Sequence, residues 1–600
     1  MILRLLYRFW LKLSMRRKTQ LVFLLLIMLI ASFAEIVSIG AVLPFLAVLT
    51  TPERIFGHPA AQTVIGIFAI TTPGQLLLPV SILFAIAATM SGVVRLLLLW
   101  ASTRISYSIG ADLSIDIYRR TLYQPYSVHV ARNSSEIING ISGKTGTVIA
   151  ACIGVLNLIS AVVILTAILI ALISLEPVVA VGSFLGFGGI YGTIIMLTRG
   201  TLKRNSQRIA EESTQVIKSL QEGLGGIRDV LIDGTQATYC KAYQNADHPL
   251  RRAQGNNYFI SLSPRYALEA LGMVLISAIA YFLVRQPDGI AKTIPVLGAL
   301  ALGAQRLLPV LQLVYSSWIN LLGNQSSLED ALHLLDQPLP EYVHNPSDKT
   351  ISFEKQIVLR NLFFRYSDQA PYVLKDVNLV IRKGSRIGFV GATGSGKSTL
   401  LDLIMGLLMP TQGAFEVDGQ PIDETNVRAW QVHIAHVPQF IFLSDSTIAE
   451  NIAFGIPKHK IDHARVRYAA AQAQISGIIE EWPHQYQTRV GERGVRLSGG
   501  QRQRIGIARA LYKQADVIVF DEATSALDNE TELAVMQSIE KLSENLTILI
   551  IAHRLTTLRA CTVVVELANE NIKRKGSYQE IVADGANIDQ NHHSLQTNAS

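Results

Sequence analysis

The chain has 600 residues, more than one hydrophobic core usually organises, so at least two domains are expected. Apolar residues make up 49% of the sequence and charged residues 16%, and the apolar residues are concentrated in the first half. The net charge of +7 does not indicate nucleic-acid binding, because much of the excess lies in residues 4–18, where cations set membrane topology. Cys152, Cys240 and Cys561 stand far apart, which argues against a disulfide framework or a zinc site.

Six stretches before residue 330 are apolar enough to cross a bilayer as helices, which takes ~20 residues each. The first is longer than the ~7 to 15 apolar residues of a signal peptide, so we interpret it as an uncleaved membrane helix. The predicted spans lie near residues 21–49, 76–101, 148–175, 178–197, 266–284 and 294–321.

The connections after the second and fourth predicted spans are long and rich in charged residues, whereas the others carry few Lys or Arg. This bias predicts that the long connections, the N-terminus and the chain beyond residue 330 are cytoplasmic. We expect a multi-pass protein of a bacterial inner membrane. The tips of the long connections, 123–129 and 221–230, are candidate coupling segments between its two halves.

The pattern of the chain changes after a polar, proline-containing stretch. Beyond it, short β-rich runs alternate with helical segments, which is typical of an α/β domain with a partly parallel sheet. The predicted fold is therefore a membrane α-helical bundle followed by an α/β P-loop domain. Its predicted parts are a transmembrane domain (1–330), a linker (331–350), a nucleotide-binding domain (351–582) and a polar tail (583–600).

A glycine-rich loop follows the predicted strand 386–390 and fits the pattern G-x-x-x-x-G-K-[ST]. Glycines let the backbone wrap phosphates, so that its N–H groups and a helix N-terminus bind the anionic oxygens. Lys397 is predicted to reach the β- and γ-phosphates, and Ser398 to bind Mg²⁺. The nucleotide-binding residues predicted here are Gly391, Gly394, Ser395, Gly396, Lys397, Ser398 and Thr399.

A second strand, 517–520, ends in the carboxylates Asp521 and Glu522. Asp521 is predicted to hold Mg²⁺ and Glu522 to act as the general base that polarises the attacking water. Together with the P-loop, this pair fits kinases, GTPases and helicases as well as transport ATPases. The two motifs establish nucleotide binding without naming the family.

The sequence LSGGQ at 497–501 resembles the signature motif of ATP-binding-cassette (ABC) proteins. A serine and two glycines at a helix start offer N–H groups and a positive dipole end to a phosphate. In that family the segment contacts the nucleotide bound by the opposite subunit, so the resemblance implies a dimer, most simply a homodimer, with two sandwiched ATPs. The residues to which it assigns this contact are Ser498, Gly499, Gly500 and Gln501.

The same resemblance implies roles for residues that would be unremarkable singly. Tyr366 is expected to stack on adenine, Gln439 to sense Mg²⁺ and the membrane domain, and His553 to contact the γ-phosphate. Asp528 is expected to contact nucleotide, and the loop 488–494 resembles one that is characteristic of exporters. Glu522, His553 and Gln439 are thus the expected catalytic residues, and Ser398, Gln439 and Asp521 the Mg²⁺ ligands.

Ionisable residues inside the spans are costly unless paired or hydrated. Arg306 stands about twelve residues into the sixth span, beside Pro309, and is predicted to face a cavity. Glu35 lies midway along the first span, where a buried pair and a cargo role both remain open. For Arg95, near the predicted cytoplasmic end of the second span, snorkelling or an interfacial pair is favoured over a cargo role.

The runs 305–309 and 32–35 resemble the branch of ABC exporters that flips lipid-linked oligosaccharides. This implies an amphipathic cargo, a lipid-linked oligosaccharide or other glycolipid, whose pyrophosphate would suit an arginine-lined cavity. A peptide or drug exporter without a protease domain is the alternative. A soluble cassette ATPase would lack the spans, a nucleotide-gated channel would tolerate a decayed ATP site, and a peptidase-containing exporter would need an additional N-terminal domain.

Overall fold

The computed structural model describes residues 2–50, 53, 56, 65–66, 71–175, 177–284, 307–343, 351–522, 527–540, 545–551 and 555–583. These divide into two compact units. The first comprises Met1–Gln124 and Ala131–Leu339, and the second Pro125–Val130 and Pro340–Ser600. A short segment of the first long connection therefore belongs to the unit that carries the nucleotide motifs.

Long helices build the first unit. In chain order the α-helices that the structure describes up to residue 335 are α1 (Ile2–Lys12), α2 (Met15–Thr50), α3 (Leu77–Leu122), α4 (Tyr126–Ala131), α5 (Ser134–Ile138), α6 (Lys144–Leu175), α7 (Pro177–Gly225), α8 (Ile227–Ile232), α9 (Gln236–Val284), α10 (Leu307–Gly323) and α11 (Gln325–Leu335). Among these, α4 falls almost wholly within the second unit. A π-helical turn, Asn139–Gly143, joins α5 to α6.

Several of these helices are much longer than a bilayer is thick. The 49 residues of α7 extend for about 74 Å at 1.5 Å per residue, against a hydrocarbon core of roughly 30 Å. The 46 residues of α3 and the 49 of α9 extend similarly. The helices therefore continue beyond the membrane as stalks, as the helical character of the long connections predicts.

Three helical segments of the described chain are long and apolar enough to cross a membrane: Met15–Ser38, Pro73–Leu122 and Ser134–Ile170. A shorter apolar helix covers Leu307–Gly323, while α7 and α9 contain the predicted fourth and fifth spans. The sixth is described only from Leu307. The count of six spans therefore stays a prediction, as do the domain bounds; α11 ends at Leu335, inside the predicted linker.

The second unit contains two sheets. Its strands are β1 (Gln356–Phe364), β2 (Leu374–Arg382), β3 (Arg386–Val390), β4 (Gln412–Val417), β5 (Gln420–Pro421), β6 (Ile434–Val437), β7 (Val517–Asp521), β8 (Thr547–Ile551), β9 (Val563–Ala568) and β10 (Asn571–Gly576). Its remaining α-helices are α12 (Lys397–Ile404), α13 (Val427–Gln431), α14 (Ile448–Ile452), α15 (His463–Gln472), α16 (Ser476–Glu481), α17 (Gly499–Lys513) and α18 (Asn529–Glu540).

Strand order brings the predicted nucleotide motifs together. The larger sheet has the order β10-β9-β3-β8-β7-β6 and is parallel from β9 to β6, while the smaller one, β2-β1-β4-β5, is antiparallel. The central strands β3, β7 and β8 are almost wholly buried, as their continuous apolar runs predict. Because parallel strands share the direction of their carboxyl ends, the segments after β3, β8, β7 and β6 meet at one edge.

Candidate functional site

The loop after β3 has the backbone that a phosphate-binding loop requires. Gly391, Gly394 and Gly396 all have positive φ, at 148°, 83° and 90°. A methyl group at Gly391 would clash with the carbonyl oxygen of Leu567, whereas at Gly394 it would meet nothing within 4 Å. Glycine is thus needed for space as well as conformation at the first position, and for conformation at the second.

Lys397 and Ser398, the polar residues that end the P-loop pattern, have different partners. Lys397 donates from Nζ to the carbonyl oxygens of Gly391 at 2.8 Å and Ala392 at 2.9 Å, which holds its ammonium group across the loop. The Ser398 hydroxyl forms a hydrogen bond with the carboxylate of Asp521. The structure therefore joins the P-loop to the end of β7, two segments more than a hundred residues apart in sequence.

Glu522 follows β7 in a constrained conformation and has a specific partner. Its φ is 52°, in the left-handed region that a non-glycine residue adopts only when the surrounding structure imposes it. The Gln439 amide donates from Nε2 to Glu522 Oε2 at 2.6 Å, and the Glu522 backbone amide donates to the carbonyl of Ile551 at 3.0 Å. Two predicted catalytic residues, separated in sequence, are thus in direct contact.

Acidic groups accumulate beneath the P-loop. Burial raises the pKa of Asp521, and Glu522 raises it further, while Lys397 and the Ser398 hydrogen bond act in the opposite direction. Burial, followed by the charge of Asp521, raises the pKa of Asp402 on α12 to about 6. Several carboxylates close together in a half-buried position favour a bound cation.

The predicted adenine-stacking residue lies over the start of α12. The hydroxyl of Tyr366 is 3.1 Å from Oγ1 of Thr399, and its ring meets Phe364 edge-on at a centroid distance of 5.0 Å. Its ring remains half-exposed. Tyr126 of α4 lies nearby, since its pKa is raised by burial and then by the charges of Asp402 and Tyr366. Sequence reasoning placed Tyr126 in a coupling segment but did not connect it with Asp402.

The signature residues form the N-terminus of α17. Ser498 caps this helix: its Oγ accepts from the Gln501 amide at 3.2 Å, and Gln501 Oε1 accepts from the Ser498 amide at 2.8 Å. Between the described residues, no hydrogen bond or ion pair joins 498–501 to the P-loop. Within one chain, the structure therefore does not bring the signature into the contact network of the P-loop.

Asp528 caps the N-terminus of α18. Its carboxylate accepts from the Thr531 amide at 3.0 Å, and this hydrogen bond, more than any other interaction, holds the pKa of Asp528 below its usual range. The charge of Arg504, on the signature helix, acts in the same direction. Asp528 is therefore ionised and close to that helix.

The exporter-type loop 488–494 is anchored to the segment after Gln439. The Ile448 amide donates to the Thr488 carbonyl at 3.0 Å, and the Val490 amide to the Ser446 carbonyl at 3.1 Å. Movements at the Gln439 segment and at this loop are therefore linked through the backbone.

Arg509 is a structural residue that sequence reasoning missed. Its guanidinium donates to the carbonyls of Asn451 at 2.9 Å and Phe442 at 3.0 Å, and it stacks on Phe454 with 4.5 Å to the ring centroid. Burial lowers the pKa of this group to about 10. The signal in the sequence was a cation one helical turn from the buried Ile505 and Tyr512.

Two of the three candidate cargo residues pair with one another. Glu35 is buried, accepts from the Ser91 hydroxyl at 3.0 Å, and lies 3.5 Å from Nη1 of Arg95, whose side chain is 60% exposed. The pair ties α2 to α3, which favours the structural interpretation left open for Glu35. Arg306 and His553 lie outside the described residues, as does the segment 523–526.

The first unit is helical and contains membrane-spanning segments. The second is a P-loop ATPase unit whose acidic strand end lies beside the phosphate loop. Together they define an ATP-driven membrane transport protein. Sequence comparison agrees: residues 20–286 match the family "ABC transporter transmembrane region" and residues 374–525 match the family "ABC transporter". The chain belongs to the ABC transporter family, as an exporter half-transporter. The predicted fold class and the prediction of an ATPase coupled to transport are confirmed, and ATP binding follows from the family.

Known proteins resemble this chain over most of its length. The ATP-dependent lipid A-core flippase of Cupriavidus metallidurans is 30% identical over 496 residues, which cover 80% of this chain and 81% of that protein. The protein of the same name from Chromohalobacter salexigens is 34% identical over 411 residues, covering 67% and 69%. A solved bacterial Atm1-family ABC exporter with ATP bound has a TM-score of 0.77 at 22% identity, covering 94% of this chain and 97% of that one, which establishes a shared fold.

Proposed function

We propose that this chain is one half of a homodimeric flippase, which uses ATP hydrolysis to move an amphipathic glycolipid between the leaflets of a bacterial inner membrane. The observation that carries the cargo class is the similarity to the lipid A-core flippase of Cupriavidus metallidurans over four-fifths of both chains. A lipid-linked oligosaccharide and a phosphorylated glycolipid share an anionic headgroup on a long apolar anchor.

A basic recess on the stalk supports an anionic cargo. It has a volume of about 410 Å³ and lies between α7 and α9, where its lining includes Arg208, His248, Arg251 and Arg252. Arg251 pairs with Asp247 at 3.1 Å, whereas Arg208 and Arg252 have no ion pair with a described carboxylate. Guanidinium groups suit the bidentate recognition of phosphate, so this recess fits the headgroup rather than the apolar anchor.

The cargo class is tested by ATPase stimulation in proteoliposomes with a panel of polyprenyl-linked glycans, phosphorylated glycolipids, peptides and drugs. Glycolipids are expected to stimulate, and the combined substitution Arg208→Glu with Arg252→Glu is expected to weaken that stimulation. Lys203→Glu combined with Arg204→Glu makes the same charge change at two exposed positions of α7 outside the recess and serves as control. Stimulation by peptides or drugs alone would overturn the glycolipid assignment in favour of the alternative exporter.

For hydrolysis, we assign the general base to Glu522 and its orientation to Gln439, whose amide is 2.6 Å away. The P-loop amides and Lys397 are assigned to the phosphates, Tyr366 to the adenine, and His553 to the γ-phosphate. Glu522 would accept a proton from the attacking water as that water bonds to the γ-phosphorus, while the bond from the γ-phosphorus to the β–γ bridging oxygen breaks and ADP leaves with that oxygen.

The residues beside the P-loop fit Mg²⁺. The Ser398 hydroxyl, the Asp521 carboxylate and the Gln439 side chain offer oxygen ligands, which this ion prefers. The raised pKa of Asp521 reflects burial and the neighbouring Glu522, an arrangement that a cation would stabilise. When bound, Mg²⁺ would neutralise charge on the β- and γ-phosphates.

We propose a dimer, which is supported because no hydrogen bond or ion pair among the described residues joins the signature residues 498–501 to their own P-loop. Complementation tests it directly: Lys397→Ala and Ser498→Arg should each abolish turnover, and their co-expression should restore part of it. In a mixed dimer, one intact P-loop then faces one intact signature. No recovery in purified mixed dimers would contradict the shared site.

Orientation is testable with the native thiols. Cys240 is exposed, whereas Cys152 and Cys561 are buried. A membrane-impermeant maleimide is expected to label Cys240 in inside-out vesicles and not in intact spheroplasts. The opposite pattern would contradict a cytoplasmic location of the stalk.

A further inference from the structure

A cavity beneath the N-terminal helix is lined only by residues of the first unit and shares none with the P-loop site. It has a volume of about 160 Å³ and is enclosed by α1, α2, α3, α6 and α11. α1 contributes Leu6, Phe9 and Trp10, and α6 contributes Ala151 and Val155 from the opposite wall. All of its lining side chains among the described residues are apolar. A dry cavity of about 150 Å³ with such a lining takes up hydrocarbon ligands rather than water.

The position of α2, the helix that follows α1, shows that the cavity borders the membrane. The membrane-spanning part of α2 begins at Met15, and the cavity is lined by Leu21, Val22 and Leu25 from its first turns. Val22 is 54% exposed and Leu25 is 39% exposed, so these walls face the surroundings of the span. The hydrocarbon available at that depth is the acyl chain of a bilayer lipid.

The cations around the cavity divide into two groups. Arg8 and Lys12 both pair with Asp336, and Arg17 pairs with Asp112 at 2.7 Å. All three cations are thus paired within the protein, and two of them share one carboxylate.

Arg16 and Lys18, by contrast, have no ion pair with a described carboxylate. Lys18 lies at the edge of the cavity, with its Nζ 5.8 Å from the ring centroid of Trp10. An uncompensated ammonium and a tryptophan at the end of a membrane span are the groups that meet lipid headgroups. The rim of the cavity is therefore complementary to an anion, and its interior to an alkyl chain.

We propose that the cavity under α1 binds one acyl chain of an anionic phospholipid of the surrounding bilayer, with the lipid phosphate against Lys18. The site is separate from cargo transport and from the nucleotide. It anchors α1, whose polar side is already tied through Arg8 and Lys12 to Asp336, at the end of α11.

The test uses the whole protein, delipidated in detergent, and phosphatidylglycerol with brominated acyl chains. Bromine quenches tryptophan at short range, so the quenching lost in Trp10→Phe isolates the contribution of Trp10. Wild type is expected to show saturable quenching of Trp10 by this lipid. Brominated phosphatidylcholine should bind about fivefold more weakly, the effect of about 1 kcal/mol for one cation near a headgroup.

Two substitutions fill the cavity from opposite walls, Leu6→Trp and Val155→Phe, so that misfolding of one does not spoil the test. For each variant, the tryptophan quenching is compared with that of the same variant carrying Trp10→Phe in addition. Excluding two methylenes should weaken binding about tenfold. Lys18→Gln should instead abolish the preference for phosphatidylglycerol while leaving the quenching by phosphatidylcholine unchanged.

Three outcomes would overturn the proposal. The first is quenching of Trp10 that neither cavity-filling variant reduces. The second is equal binding of the two lipids in wild type, which would show that the site does not select an anionic headgroup. The third is equal quenching by a brominated alkyl detergent, which would show that the cavity accepts any chain.

Discussion

Replacing Glu522 with Gln separates catalysis from binding at this site. The amide retains an oxygen that can accept from Gln439, as the carboxylate does at 2.6 Å, so the local geometry is preserved. What is lost is proton acceptance, and a positioned general base contributes about 100- to 10,000-fold in rate. We therefore expect turnover to fall by that factor, which corresponds to roughly 3–5 kcal/mol of activation free energy.

Binding of ATP should be retained or become tighter in this variant, because one negative charge near the γ-phosphate has been removed. Glu522 also raises the pKa of Asp521, second only to burial. Without that charge the pKa of Asp521 falls, so the acid limb of nucleotide binding should move to lower pH.

Phosphate release in proteoliposomes measures turnover, and equilibrium binding of a fluorescent ATP analogue measures affinity. Glu530→Gln removes the same charge from an exposed position of α18 and should leave both unchanged. Turnover of Glu522→Gln within about threefold of wild type would refute the assignment of the base. A parallel loss of ATP binding would show that the side chain holds the fold of the site instead.

Four further substitutions have expected outcomes. Gly391→Ala should abolish ATP binding, because its methyl group would clash with the Leu567 carbonyl, whereas Gly394→Ala should weaken it by only the ~1 kcal/mol of an unfavourable backbone conformation. Arg509→Lys should destabilise the ATPase unit by about 2 kcal/mol, which would be seen as a lower Tm. An ammonium group cannot replace the two guanidinium hydrogen bonds or the stacking on the Phe454 ring. An unchanged Tm would contradict that role. Burial raises the pKa of Asp402 from 3.8 to about 6. The folded state therefore holds this proton more tightly than the unfolded chain does, and it loses stability as the pH rises between those values. Asp402→Asn should raise the Tm at pH 7.5 and not at pH 4, and the reverse would refute the buried carboxylate.

Much of the ATPase unit was predictable because its determinants are local. The P-loop needs positive φ at Gly391 and Gly396 and a lysine at the start of a helix, and all of these are adjacent in the chain. Likewise, Ser498 and Gln501 form a capping box, whose spacing is itself a sequence pattern. Continuous apolar runs identified the buried strands, because a strand covered on both faces has no polar side to show.

The tertiary structure decided which distant residues meet. Gln439 and Glu522 are in contact because β6 and β7 are parallel neighbours, and no local pattern encodes strand order. From its position in the sequence Glu35 could have either of two roles, and only the packing of α2 against α3 brings it to Arg95. The apolar cavity under α1 was not predictable either, since its walls come from five helices spread over more than three hundred residues. Helices and loops follow from nearby chemistry, whereas ion pairs and cavities depend on how whole elements pack.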